Sequence, residues 1–136
     1  MINKQLDSGL INKLTVILSL KNRKNFTFRW MEFMNYIHFP FKILIADGGK
    51  EDTVLIEKLN NPKNYPNINY TYIKYPFDKS YLDYYSKLAD VLSKVDTPYS
   101  MLMDNDDFIF PSGLTKSINF LDINKDYVSS RGRIDG

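Results

Sequence analysis

The chain has no cysteine and a single histidine, His38, in 136 residues. That excludes a disulfide framework, thiolate chemistry, a histidine-rich metal site and any Ser-His triad. Charge of one sign is also scarce: 18 basic and 16 acidic residues leave a formal +2, and the lysines are scattered rather than striped. Nucleic acid is therefore not an expected partner. No apolar run approaches the roughly 18 residues of a membrane span, and Met1 to Gly9 lacks the apolar core of a signal peptide. A soluble, cytoplasmic protein is expected. Repeats, low-complexity tracts and linkers are missing too, and the sequons at Asn25 and Asn69 read as chance in an Asn-rich chain. What is present, 43% hydrophobic and 15% aromatic residues, points to one folded domain with a real core.

Strands and helices alternate. The β-branched, apolar run Leu14 to Leu20 predicts a strand buried on both faces. Residues 26–38 place Phe26, Trp30, Phe33 or Met34, and Ile37 on one helical face, with Pro40 as the stop. Trp30 reads as core and His38 as a helix-end residue. A strand over 41–46 ends at Asp47-Gly48-Gly49, and a short helix over 51–59 turns Val54, Leu55 and Leu59 inward. Residues 68–75 alternate as an edge strand closed by Pro76. The helix over 79–95 carries Leu82, Tyr85, Leu88, Ala89 and Leu92 on one face, and a third buried strand follows over 99–103. A helix over 114–121 and a last strand over 127–130 complete the reading. The expected organisation is a polar lead-in (1–13), a core (14–121), and a last strand and tail (122–136). The expected fold is a three-layer α/β/α sandwich on a mainly parallel sheet, with ligand at the carboxyl ends of the strands.

The strand over 99–103 runs abruptly into Asp104, Asp106 and Asp107. Three carboxylates at a buried strand end repel one another and call for a compensating partner, most simply a divalent cation. A helix cap or a solvated acidic turn is the plainer alternative. An EF-hand calcium loop fits worse, because the sixth position from Asp104 is Ile109 rather than glycine.

Three strings, Thr15 to Arg23, Ile43 to Asp52 and Tyr99 to Asp107, resemble in order and spacing the three successive motifs of family 2 glycosyltransferases. Those motifs are strands ending in Pro-Thr-Tyr-Asn-Arg, in Asp-Asp-Gly-Ser and in Asp-x-Asp. The resemblance spans roughly Leu14 to Leu121 and implies a GT-A, Rossmann-like fold that binds a nucleotide-diphosphate sugar, most simply a UDP-sugar. Asp104 and Asp106 then correspond to the metal ligands for Mn2+ or Mg2+, with Asp104 and Asn105 beside the nucleotide. A hard cation there would stabilise charge on the departing diphosphate. Asp47 corresponds to a residue that accepts a hydrogen bond from the base, with Gly48 standing where the family has a second Asp. Ser19, Leu20, Asn22 and Arg23 correspond to the first nucleotide-contacting motif. Lys87 is the nearest cation to the family's Ala-Arg-Asn helix segment. Asp-Gly-Gly as an ordinary turn and Arg23 as a helix-capping residue remain the simpler readings of those positions.

The family's acceptor site and catalytic base follow Asp-x-Asp, and this sequence runs only about thirty residues beyond Asp107. No base candidate stands out among Asp122, Asp126 and Asp135. The chain thus reads as an apparently truncated, nucleotide-binding half that lacks the base and leaves an apolar face for self-association as a homodimer. A carbohydrate or glycoconjugate acceptor, inverting transfer, and a place at the inner face of the membrane in a biosynthetic complex are what the resemblance implies for a complete enzyme. A nucleotidyltransferase of related architecture and a non-catalytic interaction domain are the other two classes.

Overall fold

The computed structural model describes residues 8–104 together with 116, 118, 119 and 121–123. Four strands, β1 (Leu14–Leu20), β2 (Lys42–Asp47), β3 (Tyr70–Lys74) and β4 (Tyr99–Asp104), form one sheet in the order β3-β2-β1-β4. Every pairing is parallel. Parallel neighbours need long crossovers, and helices supply them. A short helix, α1 (Ser8–Ile11), precedes β1; α2 (Lys24–Tyr36) links β1 to β2, α3 (Thr53–Asn60) leads toward β3, and α4 (Tyr81–Ser93) leads toward β4. The expected α/β class with a parallel sheet is what the chain adopts, compatible with a Rossmann-like arrangement, and β3 lies at an edge as its alternation suggests. The last strand expected over 127–130 lies outside the described residues.

All seven residues of β1 are buried, as a mostly apolar run is when both faces of a strand are covered. On one face Val16, Leu18, Leu20, Ile43 and Ile45 pack with Trp30, Met31 and Met34 of α2 and Leu55 and Leu59 of α3. On the other, Ile17, Leu44 and Ala46 meet Val91 and Leu88 of α4. The first cluster is much the larger.

The end of α2 is built differently from the sequence expectation. His38 adopts φ 53°, in the left-handed region. Its N–H donates to the Asn35 carbonyl, and the Phe39 N–H donates to the Met34 carbonyl. This is the paired arrangement of a Schellman stop, with Phe39 then buried in the core. Pro40 follows a helix that has already ended.

Four burial assignments are corrected: β4, expected to be a buried strand, exposes Ser100 and Leu102. Val54 of α3 and Phe26 of α2 are exposed. On α4 the apolar stripe, Leu88 excepted, is turned outward: Leu82 is 74% and Tyr85 62% exposed, and Ala89 and Leu92 also face solvent. The buried residues are Lys87 and Val91. The buried side of the helix brings the Lys87 ammonium to an ion pair at the end of the sheet, and turning Lys87 outward would strand the Asp78 carboxylate as an unpaired buried charge. We expect Val91→Ala to cost about 2 kcal/mol through lost burial and a cavity. Leu82→Ala should stay within about 0.5 kcal/mol, as exposed substitutions do. Urea denaturation of the two variants measures both.

Candidate functional site

The registers bring the motif strands to a common end. Leu20 of β1 lies opposite Asp47 of β2, and Ser19 lies opposite both Ala46 of β2 and Asp104 of β4. The chain builds outward from β1 to β2 and β3, then crosses back to place β4 on the other side of β1. In open α/β sheets such a reversal leaves a crevice at the carboxyl ends of the strands, here between β1 and β4. Asp104 is the last residue of β4. Asn105, Asp106 and Asp107 lie outside the described residues.

The tips of β1 and β2 are tied closely. The Gly48 N–H donates to the Leu20 carbonyl at 2.9 Å. Asn22 and Arg23 follow at φ 66° and 59°, two consecutive left-handed residues that tuck the chain under α2. The Asn22 side-chain oxygen accepts the Lys50 N–H at 2.9 Å and bridges the two tips. A Cβ at Gly49 would sit 2.5 Å from the Asn22 nitrogen. Neither Gly48 nor Gly49 has a positive φ, so close approach and not a special turn is what needs glycine here. Arg23 caps α2 without a side-chain acceptor, and its guanidinium lies over the Phe26 ring at 5.4 Å.

Asp47 is buried, and both of its oxygens are engaged. One accepts the Gly49 N–H at 2.9 Å and the other the Tyr72 hydroxyl from β3. Burial, and then the hydrogen bond to Asp47, hold the Tyr72 phenol well above the ordinary tyrosine value. The neighbouring Lys74 ammonium donates to the carbonyls of Gly49 and Tyr75. Asp47 is therefore the knot of the β2 tip.

The residue that sequence reasoning missed is Asp78. It follows β3, is 3% exposed, and pairs with the equally buried Lys87 at 2.8 Å. The Lys87 ammonium also reaches the Leu20 carbonyl at 3.4 Å. The Asp78 N–H donates to the Gly48 carbonyl, and a Cβ on Gly48 would lie 2.3 Å from the Asp78 carboxylate. Gly48 thus makes room for a carboxylate carried by another loop. The second oxygen of Asp78, Oδ1, is buried without a hydrogen-bond partner among the described residues. A lone acid between Phe77 and Lys79 gives no sequence signal of this role.

Of the nominated residues, Leu20, Asn22, Asp47, Gly48 and Lys87 come together at the strand ends, with Ser19 and Asp104 one step along the ladder. Leu20 gives its side chain to the core and its carbonyl to Gly48 and Lys87. Asp122 sits far off at the amino end of β4, accepting from Lys13 and Tyr99. A cavity of about 620 Å³ lined by Glu32, Tyr36, His38, Lys58 and Tyr65 also lies at the amino ends of the strands. It holds none of the motif residues. Among the described residues no group of three or more His, Cys, Asp or Glu side chains stands ready to hold a metal ion, and no helix there is long and apolar enough to cross a membrane.

Phenols at both ends of the sheet give the fold a pH signature. Tyr65 is pushed up to about 12 by burial, and Tyr72 and Tyr75 are also raised from 10.0. A phenol that ionises more readily in the unfolded chain favours unfolding once the pH passes its unfolded value. Their contribution is thus intact below pH 10 and is lost as the pH climbs toward the raised folded values. Urea midpoints should hold steady from pH 8 to 9.5 and fall above pH 10. Tyr72→Phe should flatten that fall while costing about 1–2 kcal/mol at pH 8, since Asp47 loses a donor.

No protein-family model matches the sequence, and no curated protein matches it.

Proposed function

We propose that the chain is a GT-A-like nucleotide-sugar-binding domain, a three-layer α/β/α unit whose ligand lies across the carboxyl ends of β1, β2 and β4. The observation that carries this reading is the register. Three strings spaced like the glycosyltransferase motifs emerge level with one another, on adjacent strands, beside the point where strand order reverses. Leu20 to Arg23 and Asp47 to Gly49 would contact the nucleoside, largely through backbone, because the side chains of Leu20, Asn22 and Asp47 are already committed.

Asp104 and Asp106 would hold Mn2+ or Mg2+. The backbone end of β4 at Asp104, next to Ser19, puts the start of that pair at the proposed crevice. Bound there, the ion would neutralise charge on the departing nucleoside diphosphate. No described residue is assigned as the base that would deprotonate an attacking acceptor hydroxyl. A nucleotidyltransferase is the less favoured reading, because the turn Leu20-Lys-Asn-Arg23 has none of the glycines such enzymes use to cradle a triphosphate.

Calorimetric titration with uridine diphosphate tests the proposal without an acceptor. Binding should require Mn2+ or Mg2+, and Asp106→Ala should weaken it at least about tenfold, or 1.4 kcal/mol. Binding of equal strength with and without metal, or in Asp106→Ala, would remove the metal assignment. Release of pyrophosphate from a nucleoside triphosphate and a sugar phosphate would favour nucleotidyl transfer instead.

A further inference from the structure

Helix α4 carries two apolar stripes, and the sheet uses one of them. Leu88 and Val91 lie with Lys87 on the side turned to the strands. Leu82, Tyr85, Ala89 and Leu92 form the second, all exposed and spaced three, four and three residues apart. That spacing is the narrow a/d seam a helix presents to another helix. Ser86 and Ser93 border it, and the exposed acids of α4, Asp83 and Asp90, are gathered on the far flank. Tyrosine together with depletion of charge is the composition of an interface core.

The seam has a fixed direction. The Tyr75 hydroxyl, just after β3, donates to Asp90, which turns the charged flank toward β3 and the seam toward β4. On that side Leu102 of β4, the register partner of Ile17 and on the same sheet face, is 48% exposed. Together Tyr81, Leu82, Tyr85, Leu92 and Leu102 expose on the order of 500 Å² of apolar surface, near the upper limit for a monomer. Two such faces joined reach about 1,000 Å², where specific interfaces begin.

The seam is complementary to a second copy of itself. Laid antiparallel about a two-fold axis at position 87, Leu82 faces the partner's Leu92, and Tyr85 faces the partner's Ala89, large against small. Both pairs share that centre, so one register satisfies the whole seam. A parallel pairing would instead set tyrosine against tyrosine and leave a gap between two alanines.

We propose that the chain forms a two-fold dimer in which the Leu82, Tyr85, Ala89 and Leu92 seams of two α4 helices pack antiparallel, with the Leu102 side of β4 alongside. The contact does not depend on the nucleotide reading.

Sedimentation equilibrium of the full chain tests it. The mass should rise from 16.0 kDa toward twice that value as the concentration passes through about 10 μM, the affinity of a small interface. Ala89→Glu sets a carboxylate against the partner's Tyr85 and should weaken association at least about tenfold, with circular dichroism unchanged. Leu92→Glu should do the same, and Asp83→Ala, on the far flank, should leave the mass curve as it is. Leu82→Ala keeps the small stability change of an exposed substitution in the dilute monomer and loses affinity as a dimer. The chain has no cysteine of its own, so register is read by disulfide formation. An oxidised mixture of Leu82→Cys and Leu92→Cys should cross-link. Either variant alone should not, because like positions lie ten residues, about 15 Å, apart along the helix pair. A monomer at every concentration, or a dimer that both glutamate variants leave intact, would overturn the proposal. Cross-linking of Leu82→Cys alone would overturn the antiparallel register.

Discussion

A buried ammonium and carboxylate, Lys87 and Asp78, hold together the end of the sheet on which the site depends. Through them the loop after β3 is fastened to Gly48 of the β2 tip, α4 is fastened to the Leu20 carbonyl of the β1 tip, and the rotation of α4 is set. Such a pair gains little net stability over an apolar replacement of the same shape, but losing one partner strands a charge in the interior, at about 3–5 kcal/mol. Its contribution is best understood as specifying one arrangement of three segments. Glycine at position 48 is part of the same device, since any side chain there would occupy the space of the Asp78 carboxylate.

Around this pair the polar groups of the strand ends are nearly all spoken for. Asp47 is tied by Gly49 and Tyr72, Asn22 by Lys50, and the carbonyls of Leu20, Gly48 and Gly49 by Lys87, Asp78 and Lys74. The consequence is a rigid rim of backbone and pre-set charges, the kind of support that holds a ligand without reorganising when it arrives. The left-handed pair Asn22 and Arg23 supplies the bend that puts the β1 tip against that rim, and the network around Gly49 offsets its backbone cost.

Much of the fold was legible because burial on both faces leaves a plain mark. The run from Leu14 to Leu20 reads as a strand from its short, apolar and partly β-branched character and is one, with the same bounds. The edge position of β3 shows in its alternation. Helix existence was legible and helix orientation was not. On α4 the apolar residues count toward Leu82, Tyr85 and Leu92, whereas the buried side is chosen by Lys87, whose partner lies in a loop that no periodicity reaches. That the three strings end level with one another on adjacent strands was legible in their order. Asp78 was not, because an acid in a loop acquires meaning only when the chain folds it onto a glycine from a different strand. The stop of α2 was likewise attributed to Pro40, when a left-handed His38 and the buried Phe39 already end it.

The most direct test of the central claim, that the carboxyl end of this sheet is a nucleotide site, is an amide chemical-shift titration with uridine diphosphate and Mg2+. The account predicts shifts concentrated at residues 20–23, 48–50, 77–79 and 104, with Tyr36, His38, Asn64 and Asn67 at the opposite end of the strands unmoved. Shifts confined to that opposite end would contradict it.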